Sequence, residues 1–260
     1  ESGDPMKPPF PWNGAKTRMT TVLFPYLRAW GGKGRWIEPF LGSGVVSRMV
    51  RDMYPNTEQV VGDLNPWLMA AHQHWLTGLV EPPTLADVTM ERIQFYRGVV
   101  DADLGALSDR DRALRFMVCL YSAWGNRWQT NDDGSFGTPI NTAREGADPD
   151  FLLRRLRESY GSGWSRPGDV FLHGSWADTG TQAQPGDLVF LDSPYPETAG
   201  YGSTKWDLED WSLMYDWVRF KAVPQGIHVL VCNPGTLHLQ WDYHCHRNSN
   251  PEHVHIPRRI

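Results

Sequence analysis

The chain predicts an α/β fold, a largely parallel sheet flanked by helices and interrupted by a mostly helical insert that carries a β-hairpin. Three observations predict it. The short apolar Trp36-Ile37 runs into Glu38-Pro39-Phe40-Leu41-Gly42-Ser43-Gly44 and then into a helix-like Val45 to Val50, which is the order strand, glycine loop, helix. Gln59 to Asp63 reads as a second strand and ends on a carboxylate 19 residues beyond Gly44. Val189-Phe190-Leu191 reads as a buried strand ending on Asp192-Ser193-Pro194-Tyr195. In open α/β sheets, ligands collect where the carboxyl ends of parallel strands meet loops, so Asp192 is placed to offer an oxygen to a bound molecule.

The remaining elements follow in chain order. Pro8 to Lys16 is too rich in Pro and Gly for a helix, whereas Met19, Val22, Leu23, Tyr26, Leu27 and Trp30 recur at helical spacing, so Trp12 and Lys16 lie on a loop entering a helix over 17–30. A lysine there is a ready partner for a carboxylate, and Trp12 is either a ligand contact or core. Gly42 and Gly44 let backbone approach a ligand closely, and the helix that follows starts with unpaired N–H groups. Asp63 either accepts from a ribose hydroxyl pair or caps the helix beginning at Pro66, a cap that Asn65 can fill instead. From about 80 to 184 the βα rhythm breaks. Glu91 to Val100 and Arg110 to Ser122 read as helices, followed by Trp124-Gly125-Asn126-Arg127-Trp128 and by Asn131 to Ile140, whose Asp133-Gly134 pair is a hairpin signal. Phe151 to Glu158 is a further helix, its Arg154, Arg155 and Arg157 forming a solvated face or a phosphate contact. Val170 to His173 is a strand leading into a loop that ends at Asp178. Residues 196–206 read as a loop able to close over a substrate, with Gly200 and Gly202 as flexible points. Asp210 to Lys221 is a helix and Ile227 to Cys232 a buried strand. His244, His246, His253 and His255 alternate as on a strand, and fit a surface strand better than a metal site.

At 260 residues the chain has room for one large domain or a domain with an insert. It holds no run of about 18 apolar residues and no signal-peptide pattern, so the expectation is a soluble, cytoplasmic protein with no membrane role. Glu1 to Pro5, ahead of Met6, reads as a cloning remnant. Cys119, Cys232 and Cys245 have no close spacing, which argues against both a disulfide framework and zinc, and no metal is expected. A net charge of −5 gives no sign of a basic nucleic-acid surface, although a local cleft can be basic on an acidic protein. Thirteen tryptophans are a high count for this length; most should be core, and some could stack on bases.

In this order, Phe10-Pro11-Trp12-Asn13-Gly14-Ala15-Lys16, the glycine loop, Val60-Val61-Gly62-Asp63-Leu64-Asn65, the insert and Asp192-Ser193-Pro194-Tyr195 resemble the permuted class of S-adenosylmethionine-dependent DNA adenine methyltransferases, the Dam-like family, over roughly residues 8 to 237. The resemblance implies a Rossmann-like methyltransferase sheet made by 6–79 and 170–260, with 80–169 as the target-recognition region. It implies S-adenosylmethionine as cofactor, with Trp12, Lys16, Glu38, Phe40, Gly42, Gly44, Asp63 and Asp192 around it and Lys16 at its methionine end. Asp178 either touches the cofactor adenine or caps a helix. Double-stranded DNA is the implied substrate, met by Trp124, Asn126 and Arg127, and the protein is expected as a monomer or a weak dimer.

The resemblance assigns chemistry to Asp192, Ser193, Pro194 and Tyr195. An adenine amino group is a poor nucleophile because its lone pair is delocalised into the ring. Asp192 and the carbonyl of Ser193, accepting from the two amino hydrogens, localise that pair toward the methyl donor. Pro194 sets the turn, and Tyr195 is the platform for a base flipped from the duplex. Ser193 departs from the family, whose commonest motif has proline there. Serine relaxes the backbone that proline would fix and adds a hydroxyl able to bond the base. Two other readings compete: the same chemistry on another base or on RNA, and a catalytically silent nucleic-acid-binding module of the same fold.

Overall fold

The computed structural model describes residues 6–142, 148–194, 206–233 and 254–257, with backbone only at 18–20, 233 and 254–257. Strands β1 (Trp36–Glu38), β2 (Gln59–Asp63), β3 (Val170–His173), β4 (Leu188–Leu191), β5 (His228–Asn233) and β6 (Val254–Pro257) form one sheet in the order β3-β2-β1-β4-β5-β6. Every pairing is parallel. The order reverses direction between β1 and β4, the switch point at which doubly wound sheets open a crevice beyond the strand ends. Trp36 pairs with Leu188 and Ile37 with Val189. Continuing that register brings Phe40 of the glycine loop abreast of Asp192.

Side chains alternate between two cores, as a strand period of two requires. Trp36, Val61, Leu188, Phe190, Leu230 and Cys232 join the larger core. Ile37, Val60, Val189, Leu191, Val229 and Val231 join the smaller. Helices α1 (Thr20–Trp30), α2 (Val45–Met53) and α3 (Pro66–Ala70) cover the first face. The helices of the insert, α4 (Met90–Gly98), α5 (Asp109–Ser122) and α6 (Pro149–Ser159), place Ile93, Phe116 and Leu156 in that same core. Helices α7 (Trp176–Gly180) and α8 (Leu208–Trp217) cover the other face. With both faces covered, the central strands are apolar along their whole length, which is why Val189 to Leu191 reads as an unbroken run.

The expected helices form within a few residues of their predicted bounds, with local differences. The helix expected over 17–30 opens as a 3-10 turn, Lys16–Met19, before α1. Helix α3 continues as a π-helical turn over Ala71–Trp75, and α8 as another over Val218–Ala222. Asn65 caps α3, its Oδ1 accepting from the N–H groups of Trp67 and Leu68 at 3.0 and 3.1 Å. The expected hairpin contracts to two isolated antiparallel bridges, Ala123 with Ile140 and Thr130 with Phe136. The Asp133-Gly134 turn is present, with Gly134 at φ 83° and its N–H bonded to Asn131 O. Pairing does not extend because Asp133 takes the Ser135 N–H and hydroxyl itself, and Pro139 has no N–H to give a ladder. Cys119 and Cys232 are buried thiols, while Cys245, His244, His246 and His253 lie outside the described residues. His255 falls on β6, opposite Val231.

Candidate active site

The glycine loop leaves β1 and crosses the switch point. Gly42 and Gly44 sit at φ 49° and 69°, in the left-handed region where a side chain is strained. Space is lacking as well as torsion. A Cβ on Gly42 would lie 2.9 Å from Trp12 Nε1, and one on Gly44 2.8 Å from Trp164 Nε1 and 2.9 Å from His72 Cε1. The loop is tied at both polar groups of Gly42: its N–H donates to Asp63 Oδ2 at 3.0 Å, and its carbonyl meets His72 Nε2 at 2.8 Å. The other oxygen of Asp63 accepts from Asn65 N at 3.0 Å. Asp63 is thus a strand-end carboxylate braced against the loop, and the cap of α3 falls to Asn65. Burial pushes its carboxyl above the ordinary range, against the pull of these N–H donors.

Glu38, at the end of β1, is buried among donors. Its Oε2 accepts from Ser47 Oγ at 2.5 Å and Trp36 Nε1 at 3.1 Å. Desolvation raises its pKa to about 8, the two donors lower it, and the charge of nearby Asp192 raises it again. Near neutral pH it is therefore chiefly a neutral acid under the loop. Phe40 meets Trp206 edge-on, ring centroids 5.3 Å apart at 90°.

Asp192 follows β4 directly. Its Oδ2 lies 2.5 Å from Lys16 Nζ, which also donates to Gly14 O at 3.0 Å. The lysine that opens the turn ahead of α1 and the acid at the end of β4 thus meet across the switch point. Ser193 is 3% exposed, and its hydroxyl has no hydrogen-bond partner among the described residues. The carbonyl of Pro194 accepts from Trp211 Nε1 of α8 at 3.1 Å, which fixes where the turn leaves the sheet. Tyr195, Gly200 and Gly202 lie outside the described residues.

Asp178 does what a helix cap does: its Oδ2 accepts from the Ser175 N–H and hydroxyl at 2.7 and 2.8 Å, and these bonds hold its pKa below the usual carboxylate range. In the insert, Trp124 is 57% exposed and Arg127 is exposed beside it. Between them Gly125 and Asn126 both take positive φ, 63° and 51°. Asn126 Nδ2 donates to Leu120 O at 3.0 Å, so its amide closes the end of α5. This turn, whose Trp124 N–H bonds Pro139 O, holds the two larger side chains outward.

Four contacts here had no sequence signal: the Ser47 bond to Glu38, the Trp164 and His72 contacts at Gly44, and Trp206 on Phe40. Each depends on which loop the fold returns to the switch point. Among the described residues there is no group of three His, Cys, Asp or Glu side chains able to hold a metal ion, and no helix long and apolar enough to cross a membrane. A shallow depression lined by Lys33, Arg35, Asn56, Glu58 and Asp187 lies where the strands begin, at the sheet edge opposite these motifs.

The chain is similar to known proteins along most of its length. Escherichia coli Retron Ec67 DNA adenine methylase is 23% identical over 255 residues, covering 96% of this chain and 84% of that relative. The family model for D12 class N6 adenine-specific DNA methyltransferases matches residues 12–221, from Trp12 through the glycine loop and Asp192 to the end of α8 and beyond. The chain therefore belongs to the D12 class N6 adenine-specific DNA methyltransferases.

Proposed function

We propose that the protein binds S-adenosylmethionine across the β1/β4 switch point and methylates the exocyclic amino group of an adenine turned out of double-stranded DNA. The observation that carries this is the meeting of the glycine loop and Asp192 at neighbouring strand ends. The residues present suit the cofactor: two left-handed glycines let the loop turn tightly over the strand ends, Asp63 stands where a ribose is met, and Lys16 and Asp192 form a charged pair beside the loop. When bound, the cofactor supplies a methyl group on a sulfonium that is already activated.

The chain's own residues would orient and polarise. Asp192 and the Ser193 carbonyl accept hydrogen bonds from the two amino hydrogens, aiming the nitrogen lone pair. Lys16 stands at ion-pair distance from Asp192, whose side chain is only 14% exposed, and balances its charge there. Trp211, by holding the Pro194 carbonyl, fixes the turn that presents the Ser193 carbonyl. The buried Ser193 hydroxyl lies within that same turn and is available to the base. Tyr195 would be the stacking platform for that base, and the 80–169 insert, through Trp124 and Arg127, would select the DNA site.

The deciding experiment incubates the protein with a random duplex DNA library and S-adenosylmethionine, digests the product to nucleosides and identifies the methylated one. N6-methyladenine is expected. Methylated cytosine, methylation of RNA in preference to DNA, or cofactor binding without any transfer would each displace this reading in favour of one of its competitors.

A further inference from the structure

We propose that His72 is a positioning residue for the glycine loop, holding the Gly42 carbonyl and thereby orienting the Gly42–Ser43 peptide that the cofactor meets. The inference rests on the reading that this loop receives S-adenosylmethionine.

The fold goes out of its way to put this ring there. Helix α3 does not continue regularly past Ala70. It widens into a π turn in which Leu76 N–H bonds Ala71 O at 2.9 Å and Leu79 N–H bonds His74 O at 3.1 Å. Such a turn accommodates one extra residue and re-aims the side chains on it, and it recurs at functional sites. His72 is 2% exposed and enclosed by the rings of Phe10 at 5.4 Å and Trp164 at 6.4 Å. A polar ring among aromatics costs free energy unless it is bonded, and the bond it makes is to Gly42 O at 2.8 Å.

That bond fixes a proton and a peptide. A carbonyl only accepts, so Nε2 carries the hydrogen. Burial drives the ring's pKa down to about 4, so near neutrality it is the uncharged Nε2–H tautomer. A trans peptide sets its C=O and the following N–H on opposite sides, and there is no cis bond among the described residues. Anchoring Gly42 O toward His72 therefore turns the Ser43 N–H the other way. The preceding peptide is held independently, through the Gly42 N–H on Asp63. Gly42 is thus clamped from β2 on one side and from the π turn on the other. A glycine has the widest backbone freedom of any residue, and clamping it in advance removes an ordering cost that the ligand would otherwise bear. His72 Cε1 also occupies the place a Gly44 Cβ would need, so one ring touches both glycines. The bland alternative is a core histidine that merely fills space, and the test separates the two.

Calorimetric titration with S-adenosylmethionine and steady-state methylation would be run on the parent, His72→Phe and His72→Gln. Phe keeps a ring and loses the donor. Losing one buried hydrogen bond should raise Kd and KM for the cofactor about tenfold while kcat stays within about threefold. Gln carries an amide donor able to reach Gly42 O, and its affinity should return to within about threefold of the parent. A folded Phe variant with the parent's Kd, or a Gln variant no better than Phe, overturns the proposal. Should Phe fail to fold, the parent still decides through 15N-histidine NMR. The Nε2–H tautomer with a resonance that moves on adding cofactor supports the role, and an Nδ1–H tautomer overturns it. If the parent takes no S-adenosylmethionine at all, the proposed function falls first. If the parent binds and His72→Phe binds equally well, only the His72 assignment falls.

Discussion

Lys16 Nζ stands 2.5 Å from Asp192 Oδ2, with only 9% and 14% of the two side chains exposed, so a cation delivered by the start of the chain balances the acid at the end of β4. Removing either partner leaves the other charge poorly solvated, which is the costly way to break such a pair. Asp192→Asn should leave the shape of the turn and lower methyl transfer by about a hundredfold or more, as expected for loss of a preorganised acceptor, with cofactor affinity close to the parent's. Lys16→Met should lower both kcat and the melting temperature. Single-turnover kinetics and calorimetry check this, and an Asp192→Asn variant within a few-fold of parental rate would remove Asp192 from the reaction.

Stability should depend on pH through Glu38 and His72 with opposite signs. The folded Glu38 holds its proton to about pH 8 against an ordinary 4.5, so between these values the folded chain binds a proton that the unfolded chain has lost. Stability from this group is whole below about 4.5 and fades as pH rises through 8, at no more than about 1.4 kcal/mol per pH unit. The folded His72 loses its proton near 4 against an ordinary 6.5, so its contribution is whole above 6.5 and lost as pH falls toward 4. From 6.5 to 8 only the Glu38 slope remains of the two. Melting curves of Glu38→Gln should therefore lose much of the parent's decline over that interval, and an unchanged decline would mean that Glu38 is ionised in the fold.

Gly44→Ala tests the packing under the loop. At φ 69° a side chain costs about 1 to 2 kcal/mol in torsion alone, and the new methyl would meet Trp164 Nε1 at 2.8 Å and His72 Cε1 at 2.9 Å. The substitution should destabilise by about 2 kcal/mol or more and weaken cofactor binding in the fraction that folds. Chemical denaturation and calorimetry read these separately. A melting temperature within a degree of the parent's would show that Trp164 and His72 yield freely.

Trp124 and Arg127 should act on DNA and not on cofactor. Both are exposed on a turn whose backbone is fixed by Gly125 and by the Asn126 bond to Leu120 O. A ring there can fill a gap in the base stack, and a guanidinium can make paired bonds to a guanine edge worth about 1 to 3 kcal/mol of discrimination. Trp124→Ala and Arg127→Ala should weaken binding to duplex DNA or relax site choice, with unchanged S-adenosylmethionine affinity in the absence of DNA. Parental site preference in both variants, measured by mapping methylated positions, would move recognition elsewhere.

Much of this site was legible because its parts are local. Gln59 to Asp63 is a strand between the bounds its apolar pattern predicts, and Asn65 caps α3 as an Asn ahead of a proline should. The Asp192 turn and the two glycines carry their meaning in their own torsions and neighbours. What escaped depends on chain returning from a distance. Nothing around His72 marks a π turn, since the extra residue is accommodated by packing against Phe10 and Trp164 and not by any local propensity. Asp178 remains open from sequence because a strand-following acid suits a cap and a ligand contact alike, and only the Ser175 bonds show it capping. The hairpin was overestimated because the Asp-Gly turn is a strong local signal and says nothing about whether its flanks continue to pair.

Arg35 and Asp187 clasp the starts of β1 and β4 although 152 residues separate them, with the Asp187 carboxylate taking the Arg35 N–H at 2.8 Å and its guanidinium at 2.8 and 3.1 Å. During translation, at about 5 to 20 residues per second, the glycine loop would emerge about seven to thirty seconds before the strand that completes its crevice. Until then β1 can pair on one side with β2 while its other edge waits exposed. A nascent chain shorter than about 190 residues therefore carries the glycine loop without Asp192. Contacts this distant in sequence slow folding, and an amino-terminal fragment lacks the crevice that they close.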